Sequence, residues 1–460
     1  MADYGLDSAY VKSLDADIMA MIDDGVDAWD EERFSALACR EFTFQYHANP
    51  VYRGFCDERG VHPATVASWT DIPPLPVRFF KEQVVSSVPV HAENLRQISS
   101  GTSHPDRRTL VYRDERCTEM VYAANRQATK AYLFPDVDRM PILLFVPSPE
   151  VAPFMGMAVG LTVMRETFGT DESRYLIGPG GLDLPALYRS LHQAEETGRP
   201  VALVGATSGF IFFFNQLARQ NLRFHLPPGS RIADGGGYMG TFGECTREEY
   251  LARCWEHLGI PPEFCVNTLG MSECGQNYLD NVLRAKVEGK PAPIRYKPNL
   301  PWTRVMAVDP KTGARVPRGE RGWLCHYDLT NRAGVIAVLT DNVGYEVEGG
   351  FEIVGRAKGT PAEMPPGHAA AMAAMMGALP GSCAQVADRL LVSGSGPAGT
   401  PDKLEEPATR PQTVAERMLA AGAPRFVVDM VTRQLEQGKP VHHPFPGKPK
   451  QPTDRVAGED

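Results

Sequence analysis

Apolar and polar positions alternate differently in different parts of the chain. Over residues 1–97 the apolar positions recur mainly at helical spacing, broken by the proline-rich crossing DIPPLPVRFFKEQ. From PILLFVPSP onward, strand-like and helix-like segments take turns. Ile142 to Val146 predicts a buried strand, and DLPALYRSLHQAEETGR a helix. PVALVGA is a second apolar strand, followed by a helix over SGFIFFFNQLARQ with Ser208 as its expected N-cap. SRIADGGGYMG reads as a short strand ending in glycine turns. TREEYLARCWEHLG carries Thr246 and Glu249 in a capping-box pattern with a glycine stop. FCVNTLG is a further strand, GVIAVLT another, and GGFEIVGR a hairpin arm.

Strands alternating with helices of this length imply an α/β domain with a largely parallel sheet. Ligands of such sheets sit beyond the carboxyl ends of the strands. Those ends carry GATSG, DGGGYMG and LGMSECG, rich in glycine, small hydroxyls and acids. After GGFEIVGRAKG the composition shifts toward Ala, Met, Pro and Gly. GHAAAMAAMMGAL and QTVAERMLAAGAPRFVVDMVTRQLEQG predict helices around a linker at GSGPAGTPDKLEEPATRPQ, and the end reads as a loose tail. The expected division is 1–97, a helical part of the large domain; 98–355, its core; and 356–460, a hinge and small C-terminal region.

Composition narrows the ligand class. The 460 residues are 43% hydrophobic and 22% charged, ordinary for a chain that buries a core. A net charge of −9 without a dense basic run argues against a nucleic-acid partner and for small molecules or proteins. The acidic start lacks a basic n-region and an apolar h-region, and PILLFVP and GFIFFF fall short of the ~20 residues that span a bilayer. A cytoplasmic protein with no membrane span is expected. Nine scattered cysteines favour reduced thiols. Cys245, Cys254, Cys265 and Cys274 are too widely spaced for the close pairs of structural zinc sites.

Three stretches carry candidate chemistry. ISSGTS, residues 98–103, could be a plain turn or an anion-binding concavity of backbone N–H groups and hydroxyls. It is not a Walker A loop, because the G-K-[ST] ending is missing. In TLGMSECG, Glu273 beside Ser272 could hold Mg²⁺ through oxygen ligands, or the stretch could be a capped helix start. In VLTDNVGYEVEGGFEIVGRAKG, Asp341 could accept from ribose hydroxyls and Arg356 could meet ribose or phosphate. A loop aspartate and a surface arginine explain them as well.

Together and in this order, the stretches resemble the adenylate-forming (acyl-activating) superfamily. IPPLPVRFFKE followed by ISSGTS, then DGGGYMG, LGMSE and LTDNVGYE…GRAKG, are similar to acyl-protein synthetases of the LuxE type, a branch close to phenylacetate–CoA ligases. The resemblance covers roughly residues 35–360. It implies a large N-terminal domain with mostly parallel sheets and a small, reduced C-terminal domain. It also implies ATP and Mg²⁺: a carboxylic acid, expected to be a fatty acid, becomes an acyl-adenylate and its acyl group passes to a thiol. That thiol would belong to the chain's own cysteine, an acyl-CoA reductase partner, a carrier protein or CoA. By resemblance, Ser99, Ser100, Gly101, Thr102 and Ser103 hold the β- and γ-phosphates. Glu273 helps bind Mg²⁺, with Ser272 near the α-phosphate. Gly235, Gly236 and Gly237 lie against adenine, Asp341 takes the ribose hydroxyls, and Arg356 contacts ribose or phosphate. Lys358 matches the hinge about which the small domain rotates. GATSGFIFFF would line an acyl pocket through Phe210, Phe213 and Phe214, although a core helix explains the run equally well.

The chain also departs from the pattern. HPDRR stands where many relatives have G-x-P-K, so Arg107 or Arg108 would supply the phosphate cation. Leu269 stands where an aromatic residue commonly precedes G-x-T-E. The lysine motif P-K-T-x-x-G-K is not recognisable, in keeping with a reduced C-terminal region. The acyl-accepting cysteine expected soon after the hinge is replaced by His368, which leaves Cys383 as the downstream thiol. Two alternatives stay open: a CoA ligase for an aryl or medium-chain acid, and a degenerate member that binds nucleotide or acyl groups without turnover.

Overall fold

The computed structural model describes residues 3–99, 109–178, 181–240, 243–291 and 294–357. The phosphate-loop residues Ser100 to Ser103, Arg107, Arg108, Lys358, His368 and Cys383 lie outside the described residues, as do the helices, linker and tail expected after the hinge.

The N-terminal part has the expected helices α1 (Ala9–Asp23), α2 (Glu31–Ala48) and α3 (Pro50–Asp57). Each begins at a side chain, Ser8, Asp30 or Asn49, that accepts from a first-turn N–H left without a helical partner. The proline-rich crossing forms β1 (Leu75–Pro76) and the single turn α4 (Phe79–Glu82), and β2 (Leu95–Ile98) follows. The alternating region comprises β3 (Leu110–Tyr112), α5 (Glu115–Tyr132), β4 (Ile142–Phe145), α6 (Gly156–Phe168) and β5 (Arg174–Tyr175). A ribbon of β6 (Ile177–Gly178) and β7 (Gly181–Leu182) leads to α7 (Leu184–Thr197), β8 (Ala202–Ala206), α8 (Thr207–Gln220) and β9 (Arg231–Gly235). A second ribbon, β10 (Met239–Gly240) and β11 (Gly243–Glu244), precedes α9 (Arg247–Leu258), β12 (Cys265–Leu269), β13 (Tyr278–Leu279) and α10 (Val282–Val287). The last strands are β14 (Lys297–Pro298), β15 (Thr303–Val308), β16 (Gly322–Asp328), β17 (Ala337–Val347) and β18 (Gly350–Arg356).

The predicted capping box is formed. Thr246 accepts from the Glu249 N–H at 3.1 Å, the Glu249 carboxylate accepts from the Thr246 N–H at 2.7 Å, and α9 stops at left-handed Gly259. Ser208 is not the N-cap of α8. β8 runs into the helix without an intervening residue, so Ala206 takes the cap position and makes no side-chain cap bond.

Two sheets organise these elements. The first has the order β13-β12-β9-β8-β4-β5, parallel throughout except for edge strand β13. Its strands are apolar on both faces, as a sheet covered on both sides requires. Ile142, Leu144, Ala202, Val204, Ala233 and Val266 join a core with α1, α2, α3 and α5. Leu143, Phe145, Leu203, Ile232 and Cys265 point the other way, into a core with α7, α8 and α9. The second sheet, β14-β18-β17-β16-β15, is antiparallel, with β1 added in parallel along β17. GVIAVLT and GGFEIVGR form the expected antiparallel pair β17–β18. Among the described residues, no helix is long and apolar enough to cross a membrane.

Buried Arg332 ties the helical part to the sheets. Arg332 Nε donates to Asp15 of α1 at 2.8 Å, and its Nη2 donates to both carboxylate oxygens of Asp114 at 2.8 and 2.9 Å. Asp114 also caps α5 by accepting from the Cys117 N–H at 2.8 Å. The Arg332 side chain is fully buried, so removing it leaves Asp15 only its Arg116 ion pair and Asp114 only its cap bond to the Cys117 N–H. Arg332→Met is expected to lower the unfolding free energy by about 3–5 kcal/mol in urea titration. A loss below about 1 kcal/mol would show that water replaces the guanidinium there.

Candidate active site

Three parallel strands end on the same edge of the first sheet, which gathers their glycine-rich ends. Gly205 pairs with Asp234, and Asn267 with Asp234, so β8, β9 and β12 finish side by side. The Asp234 carboxylate bridges all three ends, accepting from Thr207 Oγ1 at 2.6 Å and Asn267 Nδ2 at 2.9 Å. Burial raises the Asp234 pKa to about 6 against those two hydrogen bonds. Gly236 follows with φ +116°, a conformation that an L side chain strains to adopt. Its carbonyl accepts from Asn267 Nδ2 at 3.3 Å, which fastens Gly235 to Gly237 above the Asp234 bridge.

Beyond β12 the chain does not enter a helix, contrary to one reading of TLGMSECG. Residues 270–277 form a loop that returns antiparallel as β13. Buried Asp328 holds its far side by accepting from the Gly275 and Gln276 N–H groups at 2.9 and 2.8 Å. A Cβ at Gly275 would meet Thr330 Oγ1 at 2.3 Å, so only glycine allows this approach. Asn331 Nδ2 donates to the Glu273 carbonyl at 2.8 Å. With its backbone held, Glu273 turns its carboxylate to Thr109 Oγ1, 2.8 Å away.

Thr109 directly follows the undescribed residues 100–108, and Ser99 directly precedes them. The Thr109 N–H donates to Ser99 Oγ at 2.9 Å, and the Ser99 N–H donates to the Thr109 carbonyl at 2.9 Å. The strands continue this pair, Ile98 facing Leu110. The segment 100–108 therefore starts and ends at a closed two-bond neck, whose Thr109 hydroxyl is spent on Glu273. Ser272, Glu273, Asn331, Phe80, Val85, Leu110 and Arg113 line a small cavity beside this contact.

The second sheet brings the late residues to the same place. Asp341 lies on β17, and its carbonyl accepts from the Ala357 N–H at 2.9 Å, while Arg356 ends β18 opposite Asn342. Asn342 Nδ2 reaches Met271 Sδ at 3.3 Å, joining β17 to the Glu273 loop. Because β1 pairs in parallel with β17 and Val77 N–H donates to the Leu339 carbonyl, α4 lands beside Asp341. Half-buried Lys81 of α4 is thereby set among Glu273, Asp341 and Arg356. Burial lowers its pKa, the two carboxylates pull it back up, and Arg356 pushes it down.

Of the residues singled out in the sequence, the fold sets Ser99, Ser272, Glu273, Asp341 and Arg356 in one neighbourhood and Gly235 to Gly237 at the neighbouring strand ends. It adds Lys81, Thr109, Asn331 and Asp234, which the sequence did not single out. Lys81 stands within IPPLPVRFFKE and Thr109 directly follows the phosphate loop, but neither has a pattern of its own. Phe210, Phe213 and Phe214 are fully buried in the core on the α8 side, where Phe210 stacks on Phe145 with ring centres 4.6 Å apart. Leu269 packs toward the antiparallel sheet. Cys254 and Cys265 lie in that same α8-side core and Cys274 in the opposite one.

The family model of the acyl-protein synthetase LuxE matches residues 13–361. A long-chain-fatty-acid–luciferin-component ligase of Vibrio harveyi is 23% identical over 313 residues, covering 67% of this chain and 78% of that protein. Among solved structures, 2-hydroxyisobutyryl-CoA ligase in the postadenylation state with 2-HIB-AMP aligns with a TM-score of 0.52. The identity is 14%, over 72% of this chain and 69% of that one. An open conformation of the same ligase with 2-HIB-AMP and CoA aligns at 0.53, also 14% identical, over 76% and 81%. At that identity the likeness speaks for the fold. The family match spans more than half of the chain, and with it the chain belongs to the LuxE family of acyl-protein synthetases, enzymes that ligate an acid to a thiol through an acyl-adenylate.

Proposed function

We propose that the chain activates a fatty acid with ATP and passes the acyl group to a thiol on a protein or on CoA. The observation that carries this reading is the Glu273–Thr109 hydrogen bond, which joins the neck of the phosphate loop to the carboxyl end of β12. In the first step a carboxylate oxygen of the acid bonds to the α-phosphorus of ATP, and the bond from that phosphorus to the β-bridging oxygen breaks. Pyrophosphate leaves with the electron pair. In the second step a thiolate attacks the acyl carbon and AMP leaves. Neither step calls for an enzyme nucleophile on phosphorus; positioning and charge neutralisation suffice.

Ser99 and the following residues to Ser103 cradle the β- and γ-phosphates. Gly235 to Gly237 lie along the adenine, Asp341 accepts from the ribose hydroxyls, and Arg356 reaches ribose or phosphate. Lys81 carries the positive charge nearest the α-phosphate and the incoming carboxylate, a place for a cation in a chain without a recognisable C-terminal lysine motif. Glu273 suits Mg²⁺, since among the described residues its carboxylate takes one hydroxyl donor, beside Ser272. Bound there with phosphate oxygens, the ion would neutralise charge on the leaving pyrophosphate. The acyl tail runs toward α8, with Phe210, Phe213 and Phe214 behind it. Lys358 is the hinge, and Cys383 is a candidate acceptor alongside CoA, a carrier protein or a reductase partner. The cytoplasm is the compartment that supplies these reactants.

ATP–pyrophosphate exchange measured across a panel of carboxylic acids tests the reading. Acid-dependent exchange is expected, strongest with long-chain acids, and its absence with every acid overturns the activity. Mass spectrometry of the loaded protein then identifies the acceptor by an acyl thioester on Cys383 or by acyl-CoA in solution. Glu273→Gln is expected to cut exchange by about tenfold or more and to raise the Mg²⁺ concentration needed, as for loss of one charged ligand. Unchanged Mg²⁺ dependence would remove Glu273 from the metal site. Lys81→Met is expected to lower the exchange kcat by about tenfold or more while Lys81→Arg retains most of it. Equal losses in the two variants would mean that Lys81 acts through packing.

A further inference from the structure

Lys297 belongs to the antiparallel sheet, where β14 pairs it with Phe351 of β18, yet its side chain reaches the end of β12 in the first sheet. Only 3% of the residue is exposed. Its ammonium donates to the Asn267 carbonyl at 2.9 Å, to Asn267 Oδ1 at 3.1 Å and to Asp280 Oδ1 at 2.9 Å. Three acceptors thus take the three donors that a lysine has. Asp280 is the anion of the pair. Burial alone would raise its pKa, but the charges of Lys297 and Arg295 outweigh that and hold it below the ordinary carboxylate value. Its second oxygen accepts from Arg295 Nη1 at 2.7 Å and from the Asn267 N–H at 3.0 Å.

The ammonium decides which way the Asn267 amide faces. Having donors only, it requires the amide oxygen beside it. The Nδ2 group is then turned to the Asp234 carboxylate at 2.9 Å and to the Gly236 carbonyl at 3.3 Å. A flipped amide would set NH₂ against the ammonium and an oxygen against two acceptors, losing all three contacts. Lys297 therefore acts on the glycine turn through Asn267. Its own strand is paired with β18, which ends in Arg356, and β18 is paired with β17, which carries Asp341. The turn and the second sheet are in this way held in one register.

We infer that Lys297 is a positioning residue for base binding: by orienting the Asn267 amide it holds the Gly236 carbonyl, and with it the Gly235–Gly237 turn, in place for the adenine. A turn fixed before the nucleotide arrives need not be ordered on binding, and the affinity for the base gains by that amount. This assignment rests on the proposed nucleotide site and adds to it a residue from β14, a strand outside every motif of the sequence pattern.

Direct titration of the full chain with AMP and, separately, with pyrophosphate tests the assignment without relying on turnover. Wild type is expected to bind both. Lys297→Met is expected to bind AMP about tenfold more weakly, the loss of a charge-assisted hydrogen bond, and to bind pyrophosphate as wild type does. Asn267→Ala leaves the ammonium two acceptors, the backbone carbonyl of that position and Asp280, and is expected to weaken AMP at least as much. The double variant is expected to bind AMP no more weakly than Asn267→Ala alone, because the two residues act in series. Additive losses in the double variant overturn the positioning role, as does an equal loss of AMP and pyrophosphate affinity in Lys297→Met. Wild-type AMP affinity in Lys297→Met overturns it and leaves the nucleotide site standing. Wild-type AMP affinity in Asn267→Ala overturns it too, whether or not Lys297→Met folds. Absence of AMP binding by wild type would overturn the nucleotide site and the assignment together.

Discussion

The geometry around Glu273 rests on a buried charge, the guanidinium of Arg332. It sits in the turn between β16 and β17 and draws two carboxylates to itself, one from α1 and one from the start of α5. The same turn supplies Asn331, which holds the Glu273 carbonyl, and directly follows Asp328, which holds Gly275 and Gln276. Docking the helical region therefore orients the Glu273 loop. Gln45 of α2 reinforces the link: its amide donates to the Asn331 and Arg332 carbonyls, and its oxygen accepts from the Ile336 N–H. Burying ions rarely adds net stability over an apolar packing. Here it gives the turn one position relative to two helices, a gain in precision that an apolar contact supplies poorly.

The candidate site is assembled from segments far apart in the chain, and each is brought in by ordinary strand pairing. Parallel register aligns the ends of β8, β9 and β12, and β1 on β17 delivers Lys81. A hydrogen bond spanning 164 positions, Thr109 to Glu273, then joins the loop neck to the strand end. None of these contacts needs a strained backbone apart from the glycine turn at Gly236. Preorganisation of this kind, on strands with short loops, lets charge be met by groups already in position.

Much of this was legible in the sequence, for identifiable reasons. Strands buried on both faces are continuous apolar runs, so Ile142 to Val146 and PVALVGA stood out. The α9 capping box uses local residue pairs and is formed as expected. Order and spacing of the glycine, hydroxyl and acid motifs revealed the family before any geometry was known. Long-range partners were another matter. Ser208 had the right side chain for a cap, but β8 joins α8 without a linker and the cap passes to Ala206. Lys81, Thr109 and Asn331 are common residue types in unremarkable surroundings, and their importance comes from what the fold sets beside them.

The first sheet also divides the molecule into two apolar compartments. The α1–α5 side contains the supports of the Glu273 loop, while the α8 side contains Phe210, Phe213 and Phe214. Since a strand sends alternate side chains to opposite faces, a change of bulk on one side reaches the other only through the strand backbone. Volume can therefore be redistributed around α8 without moving the residues that hold Glu273. A fold partitioned in this way can tolerate substitutions in one compartment without passing their strain to the other.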